Sequence, residues 1–131
     1  MKTDNLTIGE CMTPTPRTIG FDIPLEKGRA MMREHSIRHL PVLNAGKLVG
    51  VLSERNVQFG LASLHGEKFI VEDVMMPDVF TVSPETPVSE VVEAMAQEKY
   101  GSAIIQDASG KVVGVFTTVD ACRLLAQMLK K

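Results

Sequence analysis

A chain of 131 residues suits one ordinary domain, burying roughly two-thirds of the surface its unfolded form exposes. Its 14 basic and 16 acidic side chains leave a formal net charge of −2, far from the basic surface that nucleic-acid binding demands. The apolar runs all fall well short of the roughly 20 residues a bilayer crossing requires, and the opening MKTDNLTIGE lacks the apolar centre of a signal peptide, so a cytoplasmic protein with no membrane contact is expected. Cys11 and Cys122 stand far apart without a companion motif, which favours reduced, packed thiols over a disulfide or a metal site.

In chain order, a short helical turn is predicted from about Ile8, then a brief extended piece at RTI. A helix follows, opened by Pro24, where the missing N–H costs nothing. The stretches HLPVLN and KLVGVLS predict two strands joined by a hairpin turn at AG. A helix carrying Val57, Leu61 and Leu64 comes next. The same series then repeats: an extended FTV, a helix with Thr86 as cap and Pro87 in its first turn, strands SAIIQD and KVVGVFT joined by ASG, and a closing helix with Leu124, Leu125 and Met128. In the second of these repeats, Val88, Val91, Val92 and Met95 make a stripe at helical spacing that reads as core.

The repetition is a duplication. Met12, Pro14, Thr18, Pro24 and Met32 face Met75, Pro77, Thr81, Pro87 and Met95 at an offset of 63 residues. After one inserted residue, Ser109, the offset becomes 64, and Gly46, Lys47, Val49, Gly50 and Val51 match Gly110, Lys111, Val113, Gly114 and Val115. Ser53 and Asn56 then fall opposite Thr117 and Asp120. A unit of about 60 residues is marginal by itself, so the two copies are expected to pack together, and the joint between duplicated units is where small-molecule sites tend to form.

Each copy turns from strand to helix at a corner, LSERN in the first and FTTVD in the second. Thr117 and Asp120 fit a helix N-cap and its third residue, a capping box worth about 1 kcal/mol. The same hydroxyl and carboxylate, together with free backbone N–H groups at a helix N-terminus, would also suit a phosphate and a sugar. The pattern alone leaves both readings open. His35 and His39 are spaced as a metal pair on a helix, yet they straddle the helix end and lack a third ligand, so no metal site is expected. Ser53 has no base held by a third group, and glycine-rich phosphate loops are absent, so no catalytic residues are assigned and an enzyme is not expected.

The series "MTP…T…P…M…HLPV…GKLVGVLSERN", repeated as "MMP…T…P…M…SAIIQD…GKVVGVFTTVD", resembles the cystathionine-beta-synthase (CBS) domain, and two in tandem look like the CBS pair called a Bateman module. The repeats would span residues 8–64 and 70–129. The resemblance implies an α/β (α+β) fold of two tandem β-α-β-β-α repeats packed with pseudo-twofold symmetry into one module. It also implies a regulator that senses adenosine nucleotides, AMP, ADP or ATP, in clefts between the repeats, with no required cofactor. A homodimer and a regulated protein of unknown identity are expected as partners.

In that family the corner hydroxyl meets phosphate and the corner Asp accepts from both ribose hydroxyls. Carried over, the main cleft would use Thr117 and Asp120 with Thr13, Thr18, Ile37, Arg38, His39 and Pro41, where Ile37 to His39 line the base and Pro41 shapes the strand. A second cleft would use Ser53, Arg55 and Asn56 with Thr81, Tyr100, Gly101 and Ser102. Here Asn56 stands where the family has Asp, a neutral acceptor oxygen in place of a charged pair, which would weaken ribose binding around tenfold. Tyr100 would stack on a base and Arg55 would meet a phosphate. The adenosyl group is shared by S-adenosylmethionine and nicotinamide dinucleotides, so the ligand is open among these. The alternative is a ligand-free dimerisation or scaffold module whose corner residues only cap helices.

Overall fold

The computed structural model describes residues 5–130. The helices are α1 (Ile8–Cys11), α2 (Leu25–His35), α3 (Glu54–Ala62), α4 (Val71–Val74), α5 (Val88–Glu98) and α6 (Thr118–Leu129). The strands are β1 (Thr13–Pro14), β2 (Ile19–Gly20), β3 (His39–Asn44), β4 (Lys47–Ser53), β5 (Thr81–Val82), β6 (Ser102–Gln106) and β7 (Val112–Thr117). This is the mixed α/β content that the duplicated pattern implies.

The chain forms two compact units whose bounds differ from those of the sequence repeats. A central unit is contiguous, Arg17–Val79, and a split unit combines the segment through Pro16 with the chain from Phe80 onward. In the central unit the sheet runs β2-β3-β4, parallel then antiparallel. Val51 on β4 is also bridged by Met76, which precedes the second repeat's own β5. In the split unit the order is β1-β7-β6-β5, and β1 pairs with β7 at Thr13 and Val115. Each unit is thus completed by the opening segment of the other repeat.

The cores reflect the duplication position by position. Ile19, Leu25, Met32, Leu40, Val42, Leu52, Val57 and Val71 form the core of the central unit. Ile8, Val88, Val91, Met95, Ala103, Ile105 and Phe116 form that of the split unit. Fully burying one such aliphatic side chain contributes about 1.5–3 kcal/mol. The predicted stripe holds at Val88, Val91 and Met95, while Val92 packs at its margin.

Two local expectations need correction. Helix α5 is capped at Pro87, not Thr86, whose hydroxyl instead pairs with that of Ser83 at 3.1 Å. Proline carries no side-chain acceptor, so a backbone carbonyl takes over: the Val88 N–H donates to Leu6 O at 3.0 Å, as the Leu25 N–H donates to Phe69 O at 2.9 Å. Of the residues expected on the closing helices, Val57 is buried and Leu61 and Leu124 pack at the core margins. Leu64, Leu125 and Met128 are exposed. Both hairpins close as expected. Ala45 (φ 51°) and Gly46 (φ 83°) supply the two positive φ values of a tight primed turn. In the other hairpin, Asp107 Oδ1 accepts from the Ser109 N–H at 2.9 Å, the Ser109 hydroxyl and the Lys111 N–H at 3.0 Å.

Candidate functional site

Both strand-to-helix corners are capping boxes. In the split unit, β7 ends at Thr117 and α6 begins one residue later. The Thr117 N–H and hydroxyl both donate to Asp120 Oδ2, at 2.8 and 3.1 Å, and the Asp120 N–H donates back to Thr117 Oγ1 at 3.3 Å. One carboxylate oxygen is therefore committed to the cap. The other, Oδ1, accepts from Arg123 Nη1 at 3.3 Å, with Asp120 17% and Arg123 66% exposed at the side chain. A carboxylate oxygen has room for more than one donor, so Oδ1 retains accepting capacity on the open side of the corner.

The central unit repeats the geometry with a different atom on the open side. The Ser53 N–H and hydroxyl donate to Asn56 Oδ1 at 3.2 and 2.8 Å, and the Asn56 N–H donates to Ser53 Oγ at 3.1 Å. A backbone N–H can only donate, so the amide atom facing Ser53 is the oxygen and Nδ2 faces away. The expectation that Asn56 offers an acceptor to a sugar therefore needs correction: its oxygen is spent on the cap, and what remains is a donor.

The expectation of free N–H groups at these helix starts is also corrected. The Thr118 N–H donates to Gly101 O at 3.1 Å, and the Glu54 N–H donates to Arg38 O at 2.8 Å. Together with the Asp120 and Asn56 N–H groups held by the caps, most of the first-turn donors a phosphate would use are occupied.

Within the split unit Thr13, Thr81, Ser102 and Thr117 lie on one sheet, Thr13 and Thr81 on its two edge strands, while Tyr100 and Gly101 lead into β6 and Asp120 sits in the first turn of α6. Thr13 lies opposite Val115, Thr81 opposite Ile104, and Ser102 opposite Thr117. Tyr100 stacks on Phe80, ring centroids 4.8 Å apart and planes 19° from parallel. Within the central unit, His39 and Pro41 lie on β3 and His39 lies opposite Ser53, the last residue of β4; Thr18 immediately precedes β2, Ile37 and Arg38 immediately precede β3, and Arg55 and Asn56 are in the first turn of α3. Arg38 is exposed, with Nε 3.9 Å from Glu54 Oε1. Pro41 and Ser102 are buried. A groove of about 320 Å³ opens between α2 and α3 against Arg29, Met32, Arg33, Val57 and Leu61. Glu54, Gln58 and Ala62 complete its lining, and none of the expected ligand-binding residues lies there.

Among the described residues, no cluster of three His, Cys, Asp or Glu side chains is placed to hold a metal ion, and no helix is long and apolar enough to cross a membrane.

Two α/β units of common design, each turning from hairpin to helix through a capped corner, define a tandem-repeat α/β protein. The family model for the CBS domain matches residues 8–62 and again 71–127. The chain belongs to that family and carries a tandem pair of its domains. The inosine-5'-monophosphate dehydrogenase of Korarchaeum cryptofilum is 34% identical over 103 residues, 79% of this chain and 21% of that enzyme. The chain spans about a fifth of the length of the dehydrogenases it matches. The CBS domain pair of protein MJ0100, crystallised with 5'-methylthioadenosine and S-adenosyl-L-methionine, is 26% identical with a TM-score of 0.86, covering 94% of this chain and 98% of that one. CBSX2 of Arabidopsis thaliana, crystallised with AMP, shares the fold at 22% identity and a TM-score of 0.79, covering 93% and 97%.

Proposed function

We propose that this CBS pair is a regulatory module that binds an adenosine nucleotide, AMP, ADP or ATP, without catalysing a reaction on it. The observation that carries this reading is the outward Oδ1 of Asp120, a carboxylate acceptor beside a 12-residue helix start, held in place by a cap that uses only the other oxygen. A ribose diol donating to that oxygen makes charge-assisted hydrogen bonds, about 1.5–3 kcal/mol each. The full ligand set is Thr13, Thr18, Ile37, Arg38, His39, Pro41, Thr117 and Asp120. The MJ0100 pair, which holds two adenosyl compounds, supports the class of ligand. The nucleotide favours one arrangement of the pair over another, and a regulated protein reads that shift in population. We place the module in the cytoplasm as a homodimer, which the exposed Leu125, Met128 and Leu129 of α6 support.

Isothermal titration of wild type and Asp120→Asn with AMP and ATP tests the reading. The Asn variant keeps the cap, as Asn56 does in the other corner, and loses the outward acceptor. Micromolar binding, about −8 kcal/mol, is expected of wild type, and a loss of about tenfold or more of the variant. No heat and no protection from melting at millimolar nucleotide overturns the sensor and leaves the scaffold reading.

A further inference from the structure

The groove between α2 and α3 carries four polar side chains over an apolar floor. Met32 and Val57, 3% and 1% exposed, close its bottom beside Leu61. Arg29 and Arg33 stand on successive turns of α2, and Glu54 and Gln58 on successive turns of α3. Its volume of about 320 Å³ is that of a small-molecule site, in which a few placed polar groups orient an apolar body.

The duplication shows that the fold does not require these polar groups. At the equivalent places of the second repeat the floor keeps its character, with Met95, Ala121 and Leu125 for Met32, Val57 and Leu61. The four polar places hold Val92, Ala96, Thr118 and Cys122 instead, none of them charged. Scattered surface charges need only water, but these converge on one concavity and are missing as a set from its copy. Nor does the protein itself satisfy them. Arg29 Nε donates to Glu26 Oε1 at 2.8 Å, which steadies that guanidinium at the rim. Arg33 has no carboxylate partner among the described residues, and Glu54 reaches only Arg38 Nε, at 3.9 Å, beyond hydrogen-bond distance.

We infer that this groove binds an α-amino acid with an aliphatic side chain. The carboxylate of the ligand meets the Arg33 guanidinium, whose planar fork matches it. Its ammonium group meets Glu54, and its side chain covers Met32, Val57 and Leu61. The site shares no residue with the nucleotide reading above, so either stands if the other fails.

The probe is L-leucine, titrated into the isotopically labelled full chain and followed by NMR shift mapping. Wild type is expected to saturate with a Kd of about 1 mM or lower, the shifts centred on α2 and α3. Arg33→Gln and Glu54→Gln are each expected to weaken binding at least about fivefold while melting as wild type does. The same factor is expected for 4-methylpentanoate, which lacks the ammonium group, and for 3-methylbutylamine, which lacks the carboxylate. No saturable shift on α2 and α3, as when a second copy covers the groove, overturns the inference. So do variants that bind leucine as wild type does, or methylpentanoate binding as tightly as leucine.

Discussion

Met75 lies over Gly50 so closely that a β-carbon on the glycine would stand 2.6 Å from the methionine sulfur and 2.9 Å from the carbonyl oxygen of Met76. Met12 covers Gly114 in the same way in the other unit. The methionine can swing aside, but the Met76 carbonyl is fixed, since Val51 and Met76 exchange backbone hydrogen bonds of 3.0 and 2.9 Å. Gly50→Ala is therefore expected to destabilise the protein by about 1–3 kcal/mol through overpacking. Gly46→Ala, at φ 83° in open space, is expected to cost about 1–2 kcal/mol, from the left-handed backbone alone. Urea denaturation reads both. A further Met75→Ala change is expected to recover only part of the Gly50→Ala loss, because the carbonyl stays.

The two caps make a matched pair for mutation. Thr117→Ala and Ser53→Ala each remove the hydroxyl that accepts from the third helical N–H, at an expected cost of about 1 kcal/mol. The melting temperature is expected to fall by roughly 4 °C in each case. Thr117→Ser keeps the hydroxyl and is expected to keep most of the stability. A melt of Thr117→Ala indistinguishable from wild type would show that the cap contributes nothing.

Asp107 sets an acid limit on one hairpin. The hydrogen bond from the Ser109 side chain, and after it that from the Lys111 backbone, holds its carboxyl below the ordinary value. A carboxyl lowered on folding contributes stability that is present above the unfolded pKa of about 3.9 and is lost as pH falls through the folded value. Asp107→Asn cannot titrate there. The stability gap between wild type and Asp107→Asn in urea is therefore expected to narrow between pH 6 and pH 3. A gap independent of pH would assign the turn's stability to shape alone.

Short apolar runs bounded by the AG turn placed β3 at His39–Asn44 and β4 at Lys47–Ser53 without correction, and the consecutive buried residues Leu40, Pro41 and Val42 show β3 enclosed on both faces. Thr117 and Asp120 were legible as a cap for a related reason: the capping box is a purely local interaction at fixed spacing. What spacing could not convey was which oxygen the cap consumes, and hence that Asn56 presents nitrogen outward. Pro24 and Pro87 announced the starts of α2 and α5, but not what satisfies them, since the carbonyls that accept from Leu25 and Val88 come from residues distant in sequence, Phe69 and Leu6. The left-handed helix ends at Ser36 (φ 54°) and Lys99 (φ 61°) carry no glycine to announce them. Their equivalence across the duplication was the one available signal.

The crossed allegiance of the two opening segments sets an order of assembly on the ribosome. The central unit is complete in sequence once Val79 has been made, and its sheet and buried core draw on no later residue. Ile8, fully buried, has its companions Val88, Val91, Ala103 and Phe116 in the second repeat. Its apolar surface stays open to water, or to a chaperone, until those residues have been translated.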